Sequence, residues 1–174
     1  NTANVTSGVM NVTRIAPEVQ LVSMNTNYTA PSQTASSSYS VTLTFNVTPR
    51  GGTIYMGTTT APTTTFLGLV LQKDSGSTST PNGGVVVQLK QGSTDITNTQ
   101  PAGSSSGWYQ LAEGTTYTFV VTANQNGAPS GTGLGTGLYR WIVNYLRFRQ
   151  TDGGSNLDVP GVSQTWFTSY TNVQ

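Results

Sequence analysis

The side chains best suited to acid–base chemistry in this sequence are its six carboxylates. The chain of 174 residues contains no histidine and no cysteine, which excludes Ser-His-Asp and Cys-His nucleophile pairs and the common zinc sites. Two carboxylates alone can still catalyse hydrolysis, as in glycosidases. The candidates, mainly in turn-like segments or at the ends of predicted strands, are Glu18, Asp74, Asp95, Glu113, Asp152 and Asp158. We interpret them as solvated turn residues, and predict a protein that is not an enzyme and needs no cofactor.

The segment TDGGSNLD, residues 151–158, gathers oxygen donors of the kind that calcium binds. Asp152, Asn156 and Asp158 stand in a glycine-rich stretch. Their spacing does not match the helix-loop-helix calcium pattern. Because Asp, Asn and Gly are also the usual residues of tight turns, we interpret the segment as a turn and keep it only as a weak calcium candidate.

Four asparagines begin N-glycosylation motifs, each followed two positions later by Thr. They are Asn4, Asn11, Asn27 and Asn46. Asn46 falls on the polar side of a predicted strand, where an attached sugar has room. If the source organism glycosylates its proteins, we expect these four residues to be the acceptors.

Residues 1–16 have the pattern of an extended arm that precedes the main domain. The apolar residues of this arm are Val5, Val9, Met10, Val12 and Ile15. An isolated strand is not stable and must pair with the edge of a sheet. The arm therefore either pairs with its own domain or inserts into the next subunit, which is the strand-addition mode of pilus assembly.

The clearest structural signal is strict alternation of apolar and polar residues over residues 39–47. This period of two is typical of a half-buried strand. Similar short runs, separated by turn-like segments, predict strands at 18–24, 38–48, 53–57, 65–73, 84–90, 106–111, 115–123, 138–150 and 163–171. Without a convincing amphipathic helix, the pattern predicts an all-β sandwich over residues 17–174.

Aromatic residues concentrate in the C-terminal half of the chain. They are Trp108, Tyr109, Tyr139, Trp141, Tyr145, Trp166 and Tyr170. Alternation along 138–150 assigns Leu138, Ile142, Leu146 and Phe148 to one face of a strand and Tyr139, Trp141, Val143 and Tyr145 to the other. Because a strand that is apolar on both faces is usually covered on both, we predict that the segment with Trp166 and Tyr170 covers the outer face. A neighbouring subunit or a stacked glycan is the alternative cover.

The stretch LAEGTTYTFVVTANQNG, residues 111–127, places Leu111, Gly114 and Tyr117 before an alternating apolar run. It resembles the corner and following strand of fibronectin type III domains, and the likeness extends over residues 38–149. The resemblance implies an immunoglobulin-like or fibronectin type III-like sandwich. In that family the tyrosine ring packs in the core and its hydroxyl bonds a backbone group upstream, so the resemblance implies a structural role for Tyr117.

Charged residues make up 7% of the chain, against about 25% in an average soluble domain. The net charge is +1 and the basic residues are mostly scattered along the sequence, so we expect no nucleic acid partner. No apolar run reaches the roughly 20 residues of a membrane span, so we expect no membrane insertion of the mature chain. Because the sequence begins at Asn1, we expect an extracellular protein whose secretory signal has been cleaved.

Low charge, abundant Ser and Thr, the glycosylation motifs and the arm together resemble archaeal extracellular thread filament subunits. The resemblance implies sandwich units with an N-terminal donor strand and N-linked sugars. It predicts a structural subunit of a surface filament, a homopolymer built through heterologous, head-to-tail contacts. A β-rich viral capsid or shell protein, and a monomeric carbohydrate-binding or adhesion module, are the alternative functions.

Overall fold

The computed structural model describes residues 14–32, 36–57, 66–99, 108–127 and 134–174. In these ranges the backbone forms β-strands and one helical turn. In chain order they are β1 (Ala16–Thr29), β2 (Ser38–Arg50), β3 (Ile54–Met56), β4 (Leu67–Lys73), β5 (Thr78–Ser79), β6 (Val85–Gln91), β7 (Thr94–Asp95), β8 (Tyr109–Leu111), β9 (Tyr117–Asn126), β10 (Gly137–Phe148), β11 (Leu157–Asp158), α1 (Val162–Thr165) and β12 (Thr171–Val173).

The strands form two antiparallel sheets and a small ribbon. The first sheet has the order β1-β2-β9-β6-β7, and the second has the order β11-β10-β4-β5, with β12 also paired to β10. The ribbon joins β3 to β8, and Tyr55 in it pairs with Arg149 just beyond β10. The predicted all-β sandwich is confirmed.

The core lies between the inner faces of the two sheets. In β2 the apolar residues at alternate positions from Tyr39 to Val47 are all fully buried, as the alternation predicts. Phe45 stacks on Phe119 of the same sheet, with ring centroids 5.1 Å apart. From the second sheet, the Trp141 ring lies 5.9 Å from that of Tyr39. Burial of these inward side chains is the main stabilising term for such a fold.

The strand that follows the tyrosine corner belongs to the first sheet. β9 lies between β2 and β6, so the order β1-β2-β9-β6 corresponds to the A-B-E-D sheet of immunoglobulin-like sandwiches. In those domains the tyrosine corner precedes strand F of the opposite sheet. The fold class thus agrees with the resemblance, whereas the corner strand occupies a different position in it.

A β-bulge in β10 reverses which side chains face the core. Val143 pairs with Leu69 and Leu146 pairs with Leu67, so β10 holds one residue more than β4 between these pairs. Such an extra residue shifts the alternation by one position. Leu146 and Phe148 therefore join Trp141 and Val143 in the core, and Tyr145 turns outward. The face predicted for Leu146, Phe148 and Tyr145 was wrong.

The backbone of the C-terminal segment extends the second sheet at its edge. Trp166 O accepts a hydrogen bond from Val143 N at 2.9 Å, and Thr168 N donates to Trp141 O at 3.0 Å, so this segment lies beside β10 in the plane of the sheet. The Trp166 ring points inward and lies 5.3 Å from that of Phe45. The continuous strand predicted at 163–171 was wrong, and so was the predicted position of Trp166 on the outer face; Tyr170 lies on that face, over Arg140.

Candidate functional site

Several carboxylates of the described residues make local structural contacts. No group of three or more His, Cys, Asp or Glu side chains in this part of the chain is placed to hold a metal ion. Glu18 pairs with Arg50 across β1 and β2 at 2.6 Å. Glu113 accepts a hydrogen bond from Gly51 N at 3.0 Å. These contacts stabilise turns and strand ends.

The weak calcium candidate lies against two arginines. Asn156 Oδ1 accepts a hydrogen bond from Arg149 Nε at 2.8 Å, and Asp158 Oδ1 accepts one from Arg147 Nε at 2.8 Å. Asp152, the third candidate, lies in the turn between β10 and Asn156. Two guanidinium groups at the donor oxygens oppose a cation electrostatically.

Asp95 has a perturbed pKa. The pKa of the Asp95 carboxyl lies below its usual value of 3.8. The largest cause is the Thr97 hydroxyl, followed by the Thr97 backbone N–H, and the charge of Lys90 acts in the same direction. Thr97 N lies 2.9 Å from Asp95 Oδ1. The side chain is exposed on β7 at the edge of the first sheet, which fits a turn residue.

The corner residues form the contact that the resemblance implies for this motif. Tyr117 is buried, and its hydroxyl accepts a hydrogen bond from Ala112 N at 3.2 Å. Gly114 N donates to Pro49 O at 3.0 Å, with a φ of 73° that favours glycine. Leu111 is fully buried. This corner ties the start of β9 to the end of β2.

Two of the four glycosylation motifs lie in the described residues, on the first sheet. Asn27 is exposed on β1. Asn46 is half-buried on β2, and its Oδ1 accepts a hydrogen bond from Thr118 Oγ1 at 2.8 Å. Asn4 and Asn11 lie outside the described residues.

The edges of the two sheets meet along one side of the sandwich. β1 is the edge strand of the first sheet, and the C-terminal segment is the edge of the second. At one end this side is closed, because Tyr28 Oη donates to Gln174 O at 2.7 Å and Tyr39 Oη donates to Thr171 Oγ1 at 2.9 Å.

At its other end the same side opens into a groove of about 390 Å³, which we call the edge groove. Its lining residues, which come from β1 and from the segment around α1, are Pro17, Val19, Val159, Pro160, Gly161, Val162, Thr165 and Trp166. The lining is mainly apolar and carries no charged side chain. The edge groove can therefore receive apolar side chains from a segment lying between the two sheet edges.

The described end of the arm is fixed to its own domain. Ile15 O accepts a hydrogen bond from Gln150 Nε2 at 2.8 Å, and the Ile15 side chain packs beside Gly52 and against the core. Of the predicted donor residues, Ile15 thus acts as an anchor. The others, Val5, Val9, Met10 and Val12, lie outside the described residues.

The outer face of the second sheet exposes aromatic rings around an arginine. The guanidinium carbon of Arg140 lies 5.1 Å from the centroid of the Phe167 ring and 4.9 Å from that of Tyr170. Phe167 is 48% exposed, Tyr170 is 44% exposed and Leu138 is 42% exposed. We call Leu138, Arg140, Phe167 and Tyr170 the Arg140 patch.

The predicted aromatic cluster divides between the core and this outer face. Its buried members are Trp108, Tyr109, Tyr139, Trp141 and Trp166. Its outward members are Tyr145 and Tyr170. Sequence reasoning missed Phe167 and Arg140. For the phenylalanine a signal existed, because alternation along Trp166, Phe167 and Thr168 predicts that Phe167 faces opposite to Trp166.

Positive charge is less scattered than the sequence suggested. Arg147 stacks on Tyr145 with 3.8 Å to the ring centroid, and Arg149 lies 4.1 Å from that of Trp108. Together with Arg140 they place three of the seven basic residues along β10 and its C-terminal end. Each lies against an aromatic ring, an arrangement that adds cation–π attraction.

The comparisons with known proteins identify no family. No family model and no curated protein matches the chain. The Northeast Structural Genomics Consortium target SoR45 is 11% identical over 94% of this chain and 86% of its own, with a TM-score of 0.37. The KRT10-binding region domain of the pneumococcal serine rich repeat protein PsrP is 14% identical over 83% of this chain and 98% of its own, with a TM-score of 0.24. At these TM-scores neither structure carries an argument about function.

Among the described residues, no helix has the length and apolar character that a membrane span requires.

Proposed function

We propose that this protein is a structural subunit of an extracellular surface filament that polymerises by addition of its N-terminal strand to the next subunit. The observation that carries the proposal is the edge groove, which lies beside a strand edge with no partner among the described residues. An unpaired edge presents rows of backbone N–H and C=O groups to an added strand. An apolar groove beside it can accept the side chains of that strand.

The two sides of the proposed contact have matching chemistry. Residues 1–13 carry Val5, Val9, Met10 and Val12 and only one basic neighbour, Arg14. The edge groove offers Val19, Val162 and other apolar side chains to receive them. If extended, residues 1–13 span up to about 45 Å, which is the length of a long strand.

A bulge limits where the donor strand can pair. The register of β1 with β2 shifts between Leu21 and Ser23, and Val22 at this point is 54% exposed. Bulges twist an edge strand and interrupt pairing beyond them. We therefore place the donor strand beside Ala16–Leu21, which is also the half of β1 that borders the groove.

This contact joins different surfaces of two subunits, so it continues from one subunit to the next and builds a filament. Ile15, bound to Gln150, fixes the point from which the arm leaves each subunit. The same proposal places the protein outside the cell, where Asn27 would carry a sugar on the exposed face of β1.

The first experiment is negative-stain microscopy combined with light scattering of the full chain, of a variant lacking residues 1–13, and of Val19→Glu. We expect filaments from the full chain and folded monomers from the other two, because a buried, unpaired carboxylate in the groove opposes docking. Adding a peptide of residues 1–13 to the truncated variant should give a one-to-one complex.

Val86→Glu is the matched control, because Val86 is 63% exposed on β6 in the first sheet, away from the groove. This variant should polymerise like the parent chain. A full chain that stays monomeric at every concentration, and that melts at a lower temperature once residues 1–13 are removed, would mean that the arm fills its own groove. Closed particles would indicate the capsid-like alternative.

A further inference from the structure

The Arg140 patch carries a positive charge that no carboxylate of the described chain neutralises. Glu18 pairs with Arg50, and Asp158 pairs with Arg147. Arg140 Nε donates to Gln72 Oε1 at 2.9 Å, a neutral partner. A guanidinium has five N–H donors, so this bond leaves most of its donor capacity for an anion.

The two rings beside Arg140 supply flat apolar surface next to this charge. Phe167 and Tyr170 each leave nearly half of their surface open to solvent. Both residues belong to the C-terminal edge segment, whose backbone is fixed to β10 near Phe167 and through β12. The backbone that carries both rings is therefore fixed before any ligand arrives, which lowers the entropic cost of binding.

Polar groups around the patch suit hydroxyl-bearing ligands. Gln72 lies opposite Arg140 in the β4–β10 pair. Asn172, which is exposed, lies opposite Leu138 in the β10–β12 pair. Amide side chains both donate and accept hydrogen bonds, as sugar hydroxyls require.

We propose that the Arg140 patch is a binding site for saccharides that carry carboxylate groups. The sugar ring packs on Phe167 and Tyr170, and its carboxylate forms a charge-assisted, bidentate contact with the Arg140 guanidinium. The site lies on the outer face of the second sheet, and its existence does not depend on polymerisation. It gives the subunit an adhesive surface for acidic polysaccharides.

An acidic peptide is a weaker fit to the same patch. Peptide recognition generally uses a deep pocket for an anchoring side chain, an added strand or a helix groove. The Arg140 patch instead consists of two exposed rings around one cation on an open sheet face. Shallow stacking with one fixed charge matches a uronic acid unit.

The charge continues along the sheet. Arg147 lies on the same outer face, roughly 20 Å further along β10 by the rise of a strand, and Arg149 follows it. Arg147 is paired with Asp158, which largely compensates its charge, whereas Arg149 is bound to the neutral Asn156 and adds to the positive potential of this face. A polymer of uronic acid units should therefore bind more tightly than a single unit.

The test uses trigalacturonate and its fully methyl-esterified form as probes in titration calorimetry with the full chain. The two probes share their sugar rings and differ in charge. We expect the acid to bind, and the ester to bind at least about tenfold more weakly. Arg140→Gln and Tyr170→Ala should each weaken binding of the acid by about tenfold or more, and Arg140→Lys should retain part of it.

Arg50→Gln is the matched control, because it removes an exposed arginine from the first sheet. Unchanged binding in this variant supports the assignment. Melting curves establish that each variant is folded, and Phe167→Ala offers a second probe of the stacking surface. The proposal is overturned by no binding of trigalacturonate, by equal binding of the ester, or by equal loss in Arg50→Gln. It is also overturned if a glutamate oligomer of equal charge binds as tightly as the saccharide.

Discussion

Replacing Trp166 by alanine removes the ring that fixes the C-terminal segment to the core. Trp166 is 6% exposed and its ring lies 5.3 Å from that of Phe45. Truncation of a buried tryptophan to alanine costs about 3–5 kcal/mol. For a domain of this size each kcal/mol corresponds to about 2–4 °C, so the melting temperature should fall by roughly 6–20 °C.

The neighbouring residue provides the control. Phe167 is 48% exposed and its main contact is with Arg140, so Phe167→Ala should cost no more than about 1 kcal/mol. Urea unfolding followed by circular dichroism measures both variants, and an unchanged slope with denaturant shows that the comparison concerns stability alone. Equal losses in the two variants, or a loss below about 1 kcal/mol in Trp166→Ala, would show that this segment does not pack as described.

Two further predictions concern the corner and the titration of Asp95. Tyr117→Phe leaves a backbone N–H of the corner without its acceptor, so the free energy of unfolding measured in urea should fall by about 1–3 kcal/mol. An unchanged free energy of unfolding would show that this hydrogen bond does not stabilise the fold. Because Thr97 lowers the folded pKa of Asp95 below its usual value of 3.8, the contact stabilises the fold above that unfolded pKa. This stabilisation is lost as pH falls through the folded pKa. Carbon NMR should find the Asp95 midpoint below 3.8, and Thr97→Val should raise it; a midpoint that does not move in that variant would refute the assigned cause.

The sequence was most informative where local alternation decides the structure. The run from Tyr39 to Val47 predicted both β2 and its buried face, because side-chain direction in a strand follows from position alone. The strand at 18–24 was found but is longer, at Ala16–Thr29. The two-residue strands β5, β7 and β11 were missed, since such short pairings carry no periodic signal.

The remaining differences depend on contacts between distant segments. The bulge between Val143 and Leu146 exists only relative to β4, and nothing in the sequence of β10 alone marks it. The segment 163–171 contains alternating residues, yet its first part forms α1 (Val162–Thr165). Burial of Trp166 against Phe45 positions this segment, which is a tertiary contact that strand propensity does not encode.

The candidate sites also combine features visible in the local sequence with features that depend on contacts between distant segments. The apolar arm residues and the aromatic cluster were visible in the sequence. The edge groove was not, because its lining joins Pro17 and Val19 to Val159 and Trp166 across most of the chain length. In the sequence, Arg140 was only one of several scattered basic residues. Its two aromatic neighbours lie on the C-terminal segment, and alternation along 138–150 does not determine how that segment is oriented.

The bulge in β10 also determines how this strand tolerates mutation. Arg140 and Arg147 are an odd number of positions apart, so in an uninterrupted strand one of them would point into the core. Deletion of the exposed Asn144 would remove the extra residue and leave a regular strand in which Leu146 and Phe148 still face the core. Pairing without a bulge at the present length would instead turn Arg147 inward. At its present length the strand therefore depends on the bulge to keep Arg147 out of the interior.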